Sequence, residues 1–212
     1  HLPNSVKILQ GDIRDSVFVN ASLENIDTVF HAAAIPGIWG QEFFSINVQG
    51  TENIIDACKK NSVRKLIFTS SPSVVFGDSS LEGVDESIPY PDKYLCDYPL
   101  TKALAEKMVL QANGNLLSTV AIRPHLIWGP GDPHLVPRLL DKAQKNKIVQ
   151  VGNGENKVDI IYIDNAVSAH LLACTALEGD TNISGKAYFV SDGKPVVLWD
   201  WINQLLRKMG KS

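Results

Sequence analysis

Short apolar runs alternate with stretches of helical spacing over the first 123 residues, and this alternation constrains the fold more than any other feature. VKIL at 6–9, DTVFHAAA at 27–34, KLIFTS at 65–70 and STVAIR at 118–123 are rich in β-branched residues and apolar at neighbouring positions. A strand that is apolar on both faces belongs in a parallel sheet covered by helices on each side. Between these runs, Phe44 to Lys60 and Leu100 to Ala112 carry apolar residues at helical spacing, among them Leu100, Ala103, Leu104, Met108 and Val109. The order β-α-β-α predicts an α/β fold, a Rossmann-like doubly wound parallel sheet with right-handed crossovers.

The character changes after Arg123. PHLIWGPGDP is dense in Pro and Gly, and helices are expected near 134–146, 164–177 and 198–209, with a strand pair near 148–151 and 158–162. The division expected is a partial dinucleotide-binding domain over 1–123 and a smaller mixed substrate lobe over 124–212, some of whose segments return to the sheet. A net charge of −3 gives no electrostatic reason to expect nucleic acid or an anionic membrane surface as partner. Cys58, Cys96 and Cys174 form no CxxC spacing and cannot all pair, which fits a reducing, cytoplasmic setting. No apolar run reaches the length of about 18 residues that a membrane helix needs. The five histidines have no ligand-like spacing, so no metal centre is expected.

Tyr98 and Lys102 stand four apart at the start of a predicted helix, so both side chains leave one face about one turn apart. A free phenol titrates near ~10, too high for a base at neutral pH, and a nearby ammonium lowers it. Upstream, KLIFTSSPSVVFG runs an apolar strand directly into Thr69, Ser70 and Ser71, which places hydroxyls at the carboxyl end of a strand, where open α/β sheets bind ligands. A serine there can hydrogen-bond a substrate oxygen while the tyrosine transfers its proton.

Strand-TSS followed by YxxxK, with HAAA at 31–34, NVQGT at 47–51 and RPHLIWGPGD at 123–132, resembles the extended short-chain dehydrogenase/reductase family over nearly the whole chain. The strings PSV, LIWGPGD, LVPRL, NKVD and YIDNA are most similar to the branch of 3β-hydroxysteroid and sterol-4-carboxylate dehydrogenases, and within it to bacterial 2-alkyl-3-oxoalkanoate reductases. The resemblance implies that Ser71 bonds the reacting oxygen, that Tyr98 exchanges the proton, and that Lys102 binds the nicotinamide ribose and lowers the tyrosine. It also implies that Asn47 completes the catalytic group by holding a relay water; the alternative for Asn47 is a helix-start residue satisfying backbone groups. Asp12 and Ile13 would lie along the adenine of NAD or NADP, although Asp12 reads equally as an Asx turn or helix cap. Ala32, Ala33 and Ala34 would floor the ribose and diphosphate, and Pro124, His125 and Leu126 would sit near the carboxamide. His31 reads as a packed, hydrogen-bonded core residue. Trp39, Trp128 and Tyr162 are candidates to line an acyl-sized pocket, or are core; Arg138 reads as a solvated arginine.

The Gly-rich turn that holds a dinucleotide pyrophosphate does not occur in this sequence. By the resemblance, the chain starts just before the family's third strand and stops short of its carboxyl-terminal lid segment. The first β-α-β unit is therefore expected to be missing, leaving part of a longer polypeptide with an open sheet edge. The function implied is NAD(P)-dependent interconversion of a 3-hydroxy and a 3-oxo group on a small-molecule substrate, a β-keto acid or sterol-like compound. The alternatives are a nucleotide-sugar epimerase or dehydratase, or a noncatalytic dinucleotide sensor. Pairing of the helices that bear Asn47 and Tyr98 would give a homodimer.

Overall fold

A computed structural model describes all residues except 1, 2, 4, 38, 39, 41, 134, 151, 180, 181, 211 and 212. In chain order its elements are α1 (Ser16–Ser22), β1 (Thr28–His31), a π-helical segment (Phe44–Gln49) continuing into α2 (Gly50–Lys60), β2 (Lys65–Thr69), a 3₁₀ turn (Pro72–Val75), α3 (Asp97–Gln111) and β3 (Ser118–Pro124). There follow β4 (Leu126–Trp128), α4 (Leu135–Gln144), β5 (Lys157–Val158), β6 (Ile160–Tyr162), α5 (Ile163–Ala176), β7 (Lys186–Val190), β8 (Val196–Val197) and α6 (Leu198–Lys208). His1–Arg123 with His170–Tyr188 makes one unit, and Pro124–Ala169 with Phe189–Ser212 the other.

The main sheet has the order β1-β2-β3-β7. β1, β2 and β3 run parallel, in the register Val29↔Leu66 and Leu66↔Thr119. Leu66, Ile67 and Phe68 of β2 and Val120, Ala121 and Ile122 of β3 are buried at consecutive positions, as a sheet covered on both faces requires. α2 and α3 pack on one another, and Ile54, Ile55 and Cys58 meet Leu66, Phe68, Ala105 and Val109 in one core. Burial pushes the Cys58 thiol up to about 12, so it behaves there as a small apolar residue. Asp15 starts α1 by accepting from the amides of Val17 and Phe18, each at 3.0 Å.

Two predicted strands do not form. Among the described residues nothing pairs with the run at 6–9, and Val6, Ile8 and Leu9 are largely exposed; an extended run with no ladder partner has no use for its β-branched pattern. Residues 148–150 are irregular as well, because β6 pairs in parallel with β4, and β5 pairs antiparallel with β8. β1 is bordered only by β2 among the described residues, and its Phe30 is 45% exposed.

In the second unit Gly129 and Gly131 take φ of +143° and +82°, conformations that favour glycine, and a Cβ on Gly129 would meet Ile163 at 2.6 Å. Asp132 then caps α4, accepting from the Leu135 amide at 3.0 Å and the Val136 amide at 2.7 Å. GPGD is thus built as a turn and helix cap. Among the described residues no helix is long and apolar enough to cross a membrane.

Candidate active site

The carboxyl ends of β1 and β2 and the first turn of α3 bring the catalytic candidates of the first unit together. β2 ends at Thr69, and Ser71 continues in an extended conformation as the cap of the 3₁₀ turn, its Oγ accepting from the Ser73 amide at 3.2 Å and lying 2.8 Å from Ser73 Oγ. Tyr98 is the second residue of α3, its ring edge-on to Phe43 at 6.4 Å. Burial raises the Tyr98 hydroxyl above its ordinary range, and the nearby Ser71 hydroxyl opposes that rise.

Lys102 is buried one turn further along α3. Its Nζ donates to the Thr69 carbonyl at 2.6 Å and sits 4.1 Å from the centre of the Phe68 ring, so it is directed at β2 as well as at the site. Burial pushes its ammonium down to about 8. The expected lowering of Tyr98 by Lys102 is not what the structure shows; burial dominates the phenol, and Ser71 supplies the opposing influence.

Asn47 is buried in the π-helical segment with every side-chain group engaged. Its Oδ1 accepts from the Ile35 amide at 2.9 Å, and its Nδ2 donates to the Ile35 carbonyl at 3.3 Å and to Thr101 Oγ1 at 3.2 Å. It satisfies backbone groups, as one of its two readings anticipated, but in the loop after β1 and not at a helix start. The Thr51 hydroxyl donates to the Asn47 carbonyl at 2.7 Å, so its contact with His31 Nε2 at 2.9 Å must be donated by the imidazole. In its neutral form His31 therefore carries its proton on Nε2. Burial, and secondarily the charge of Lys102, pushes this imidazole down to about 3.

Ala32 and Ala33 are exposed and Ala34 half-buried, giving a surface of small side chains beyond β1. Asp12 forms an Asx turn, accepting from the Arg14 amide at 2.9 Å, and pairs with the Arg14 guanidinium, which also reaches Glu42 at 2.8 Å. The hydrogen bonds from Arg14 hold the Asp12 carboxyl below the usual range. Ile13 packs so closely on Gly50 that a Cβ there would meet its Cδ1 at 2.4 Å, and its carbonyl accepts from Asn53 Nδ2 at 2.9 Å.

In the second unit Pro124 is buried, His125 half-buried and Leu126 exposed. The His125 amide donates to Val190 at 3.0 Å, its ring lies 5.8 Å from Phe189, and burial lowers its imidazole. Trp128 stacks edge-on against Tyr162 at 5.1 Å and Trp201 at 5.6 Å, and its buried indole N–H has no hydrogen-bond partner among the described residues. Arg138 is exposed on α4. Trp39 lies outside the described residues. Sequence reasoning missed Ser73, Thr101 and the Thr69 carbonyl around the catalytic group, and Trp201 beside Trp128. The SSPS and YPLTK strings carried a signal for the first two, whereas a backbone acceptor and a residue 73 positions downstream of Trp128 carry none.

Residues 3–212 match the 3-beta hydroxysteroid dehydrogenase/isomerase family. The chain is 44% identical over 211 residues to 2-alkyl-3-oxoalkanoate reductase of Shewanella oneidensis, covering 95% of this chain and 54% of the relative. It is 39% identical over 207 residues to the decarboxylating sterol-4-alpha-carboxylate 3-dehydrogenase of Bos taurus, covering 95% and 58%. It thus spans little more than half the length of these curated relatives. A solved structure of UDP-glucuronic acid 4-epimerase from Bacillus cereus, in complex with UDP-glucuronic acid and NAD, superposes with a TM-score of 0.83 at 28% identity, over 100% of this chain and 68% of that one. With a parallel Rossmann-like sheet, a Ser71–Tyr98–Lys102 group at its carboxyl edge and a family match along nearly its whole length, the chain belongs to the 3-beta hydroxysteroid dehydrogenase/isomerase family of extended short-chain dehydrogenases/reductases.

Proposed function

We propose that the protein is an NAD(P)-dependent oxidoreductase that interconverts a 3-hydroxy and a 3-oxo group on an apolar or acyl-bearing substrate, a β-keto acid or a sterol-like compound. The observation that carries this reading is the placement of Ser71 just beyond the end of β2 and of Tyr98 and Lys102 one turn apart at the start of α3, with Lys102 buried and its Nζ on the Thr69 carbonyl at 2.6 Å. The residues present fit a dinucleotide: an acceptor at Asp12 for the adenine, small exposed side chains at Ala32 and Ala33 along the ribose and diphosphate, and the Lys102 ammonium for the nicotinamide ribose. When bound, NAD or NADP supplies the hydride acceptor or donor. Ser71 Oγ orients the reacting oxygen, Tyr98 Oη removes the hydroxyl proton on oxidation and returns it on reduction, and Lys102 supports the phenolate between those events. Asn47 holds the loop of Ala32–Ala34 against α3. We assign Pro124, His125 and Leu126 to the nicotinamide side and Trp128 and Tyr162, with Trp201, to apolar substrate. A cytoplasmic homodimer pairing the helices that carry Asn47 and Tyr98 completes the proposal.

The substrate class draws support from the activities named for the reductase and 3-dehydrogenase relatives. A second reading, nucleotide-sugar epimerisation, draws support from the epimerase that shares the fold. The apolar cluster at Trp128 favours the first. The deciding experiment follows nicotinamide absorbance with the full-length protein, each cofactor, and panels of 3-oxo acids, 3β-hydroxysteroids and sugar nucleotides. Turnover of a 3-oxo or 3-hydroxy compound is expected; turnover confined to sugar nucleotides would overturn the substrate assignment.

A further inference from the structure

Glu106 lies one turn beyond Lys102 and two beyond Tyr98, so the three side chains leave α3 on one face. It is fully buried, an environment in which a carboxylate needs specific partners. Tyr90 Oη donates to its Oε1 at 2.6 Å, Arg123 Nη2 to the same oxygen at 2.6 Å, and Arg123 Nε to Oε2 at 3.0 Å. Arg123 is 3% exposed and lies 5.7 Å from the Tyr90 ring. A buried ion pair of this kind is weak evidence for a stabilising role, since apolar residues of the same shape often serve as well. Its charge nonetheless acts strongly on other buried charges nearby.

The buried charge nearby is Lys102. From α3 it is faced by Tyr98 and Glu106, from β1 by the neutral His31, and from β2 by the Thr69 carbonyl and the Phe68 ring. Arg123 on β3 and Tyr90 reach it by way of Glu106. Glu106 is the one carboxylate in this set among the described residues. We propose that Glu106, clamped by Tyr90 and Arg123, is a positioning residue that keeps Lys102 in its ammonium form, with Arg123 and Tyr90 setting how much of the carboxylate charge Lys102 feels. Burial drives Lys102 toward neutrality, and the Glu106 charge is the influence that opposes it. The consequence for chemistry rests on the proposed roles of Tyr98 and Lys102, because a neutral Lys102 could not support the Tyr98 phenolate.

The test is a titration of Lys102 in the full-length, cofactor-free protein, read from the ¹³C resonance of its ε-carbon and assigned by its disappearance in Lys102→Met. Glu106→Gln should lower the midpoint by about one pH unit or more, the effect of losing a close opposite charge. Tyr90→Phe, which removes one donor and leaves Arg123 paired with Glu106, should raise the midpoint. Glu106→Asp should bring it back toward the parent value. A purely structural pair would change stability in these variants and leave the Lys102 midpoint in place. An unmoved midpoint in folded Glu106→Gln overturns the inference. If that variant does not fold, Tyr90→Phe, which deletes only a hydroxyl, decides by the same criterion. No turnover is read, so failure of the oxidoreductase assignment and failure of this inference are separately visible.

Discussion

Tyr98 is held by two opposing influences, burial that keeps its proton on and the Ser71 hydroxyl that eases it off. A phenol so placed gives up its proton only with help, which is the work assigned to Lys102, and its phenolate takes a proton back readily. Tyr98→Phe keeps the ring against Phe43 and removes the proton carrier, so kcat should fall by about 10²–10⁴-fold while cofactor affinity changes little. Turnover and fluorescence titration of cofactor on the same preparation measure both, and undiminished turnover would remove the mechanism. Tyr98, Lys102 and Ser71 could be read from the sequence because proton transfer demands those side chains at a helical spacing and at a strand end. The role of Asn47 could not be read, because its partners are the backbone of Ile35 and a threonine 54 positions away. Asp12 carried two readings, and its Asx turn with Arg14 depends on a local geometry that one Asp-x-Arg string does not specify.

Strands β1, β2 and β3 form where apolar runs were dense, since burial on both faces leaves little else for KLIFT or STVAI to do. Pattern failed where pairing decides. VKIL has strand composition and no partner among the described residues, and β7 forms from KAYFV on the edge of the sheet although its apolar run is short. The helix from Phe44 was anticipated without its first, wider turns, where Asn47 reaches across to the loop after β1. That reach makes a prediction about elements. Asn47→Ala leaves the Ile35 amide and the Thr101 hydroxyl without this partner, at a cost of about 1–3 kcal/mol, and frees the loop from α3. Hydrogen exchange at the Ile35 amide should accelerate well beyond that of β2, whose ladder does not involve Asn47. Equal protection of Ile35 before and after substitution would show that the loop is held by other contacts.

The stability of the molecule depends on a titratable group buried in its first unit, whose protonation opposes folding. His31 closes β1, stacks against Phe68 at 5.3 Å and donates to Thr51, so its neutral form is built into the junction of β1, α2 and β2. Unfolded, an imidazole binds a proton near its ordinary 6.5; folded, His31 resists until about 3. Between those values the unfolded chain holds one more proton than the native one, so stability declines as pH falls through the window and is unaffected by this group above it. Each pH unit inside the window removes up to about 1.4 kcal/mol, and the full span is worth roughly 5 kcal/mol. That is a large fraction of the 5–15 kcal/mol typical of a folded domain. Thermal midpoints of the full-length protein measured at pH 7.5 and near pH 5 should therefore differ by several degrees. His31→Gln can still donate to Thr51 and takes up no proton, so it should be less stable at pH 7.5 through imperfect packing on Phe68 yet lose less between the two pH values. A variant whose acid loss matches that of the parent would place the sensitivity on another group, such as the His125 imidazole that burial lowers, and not on Asp27, whose carboxyl is held below its ordinary range by hydrogen bonds from Arg64 and Thr28.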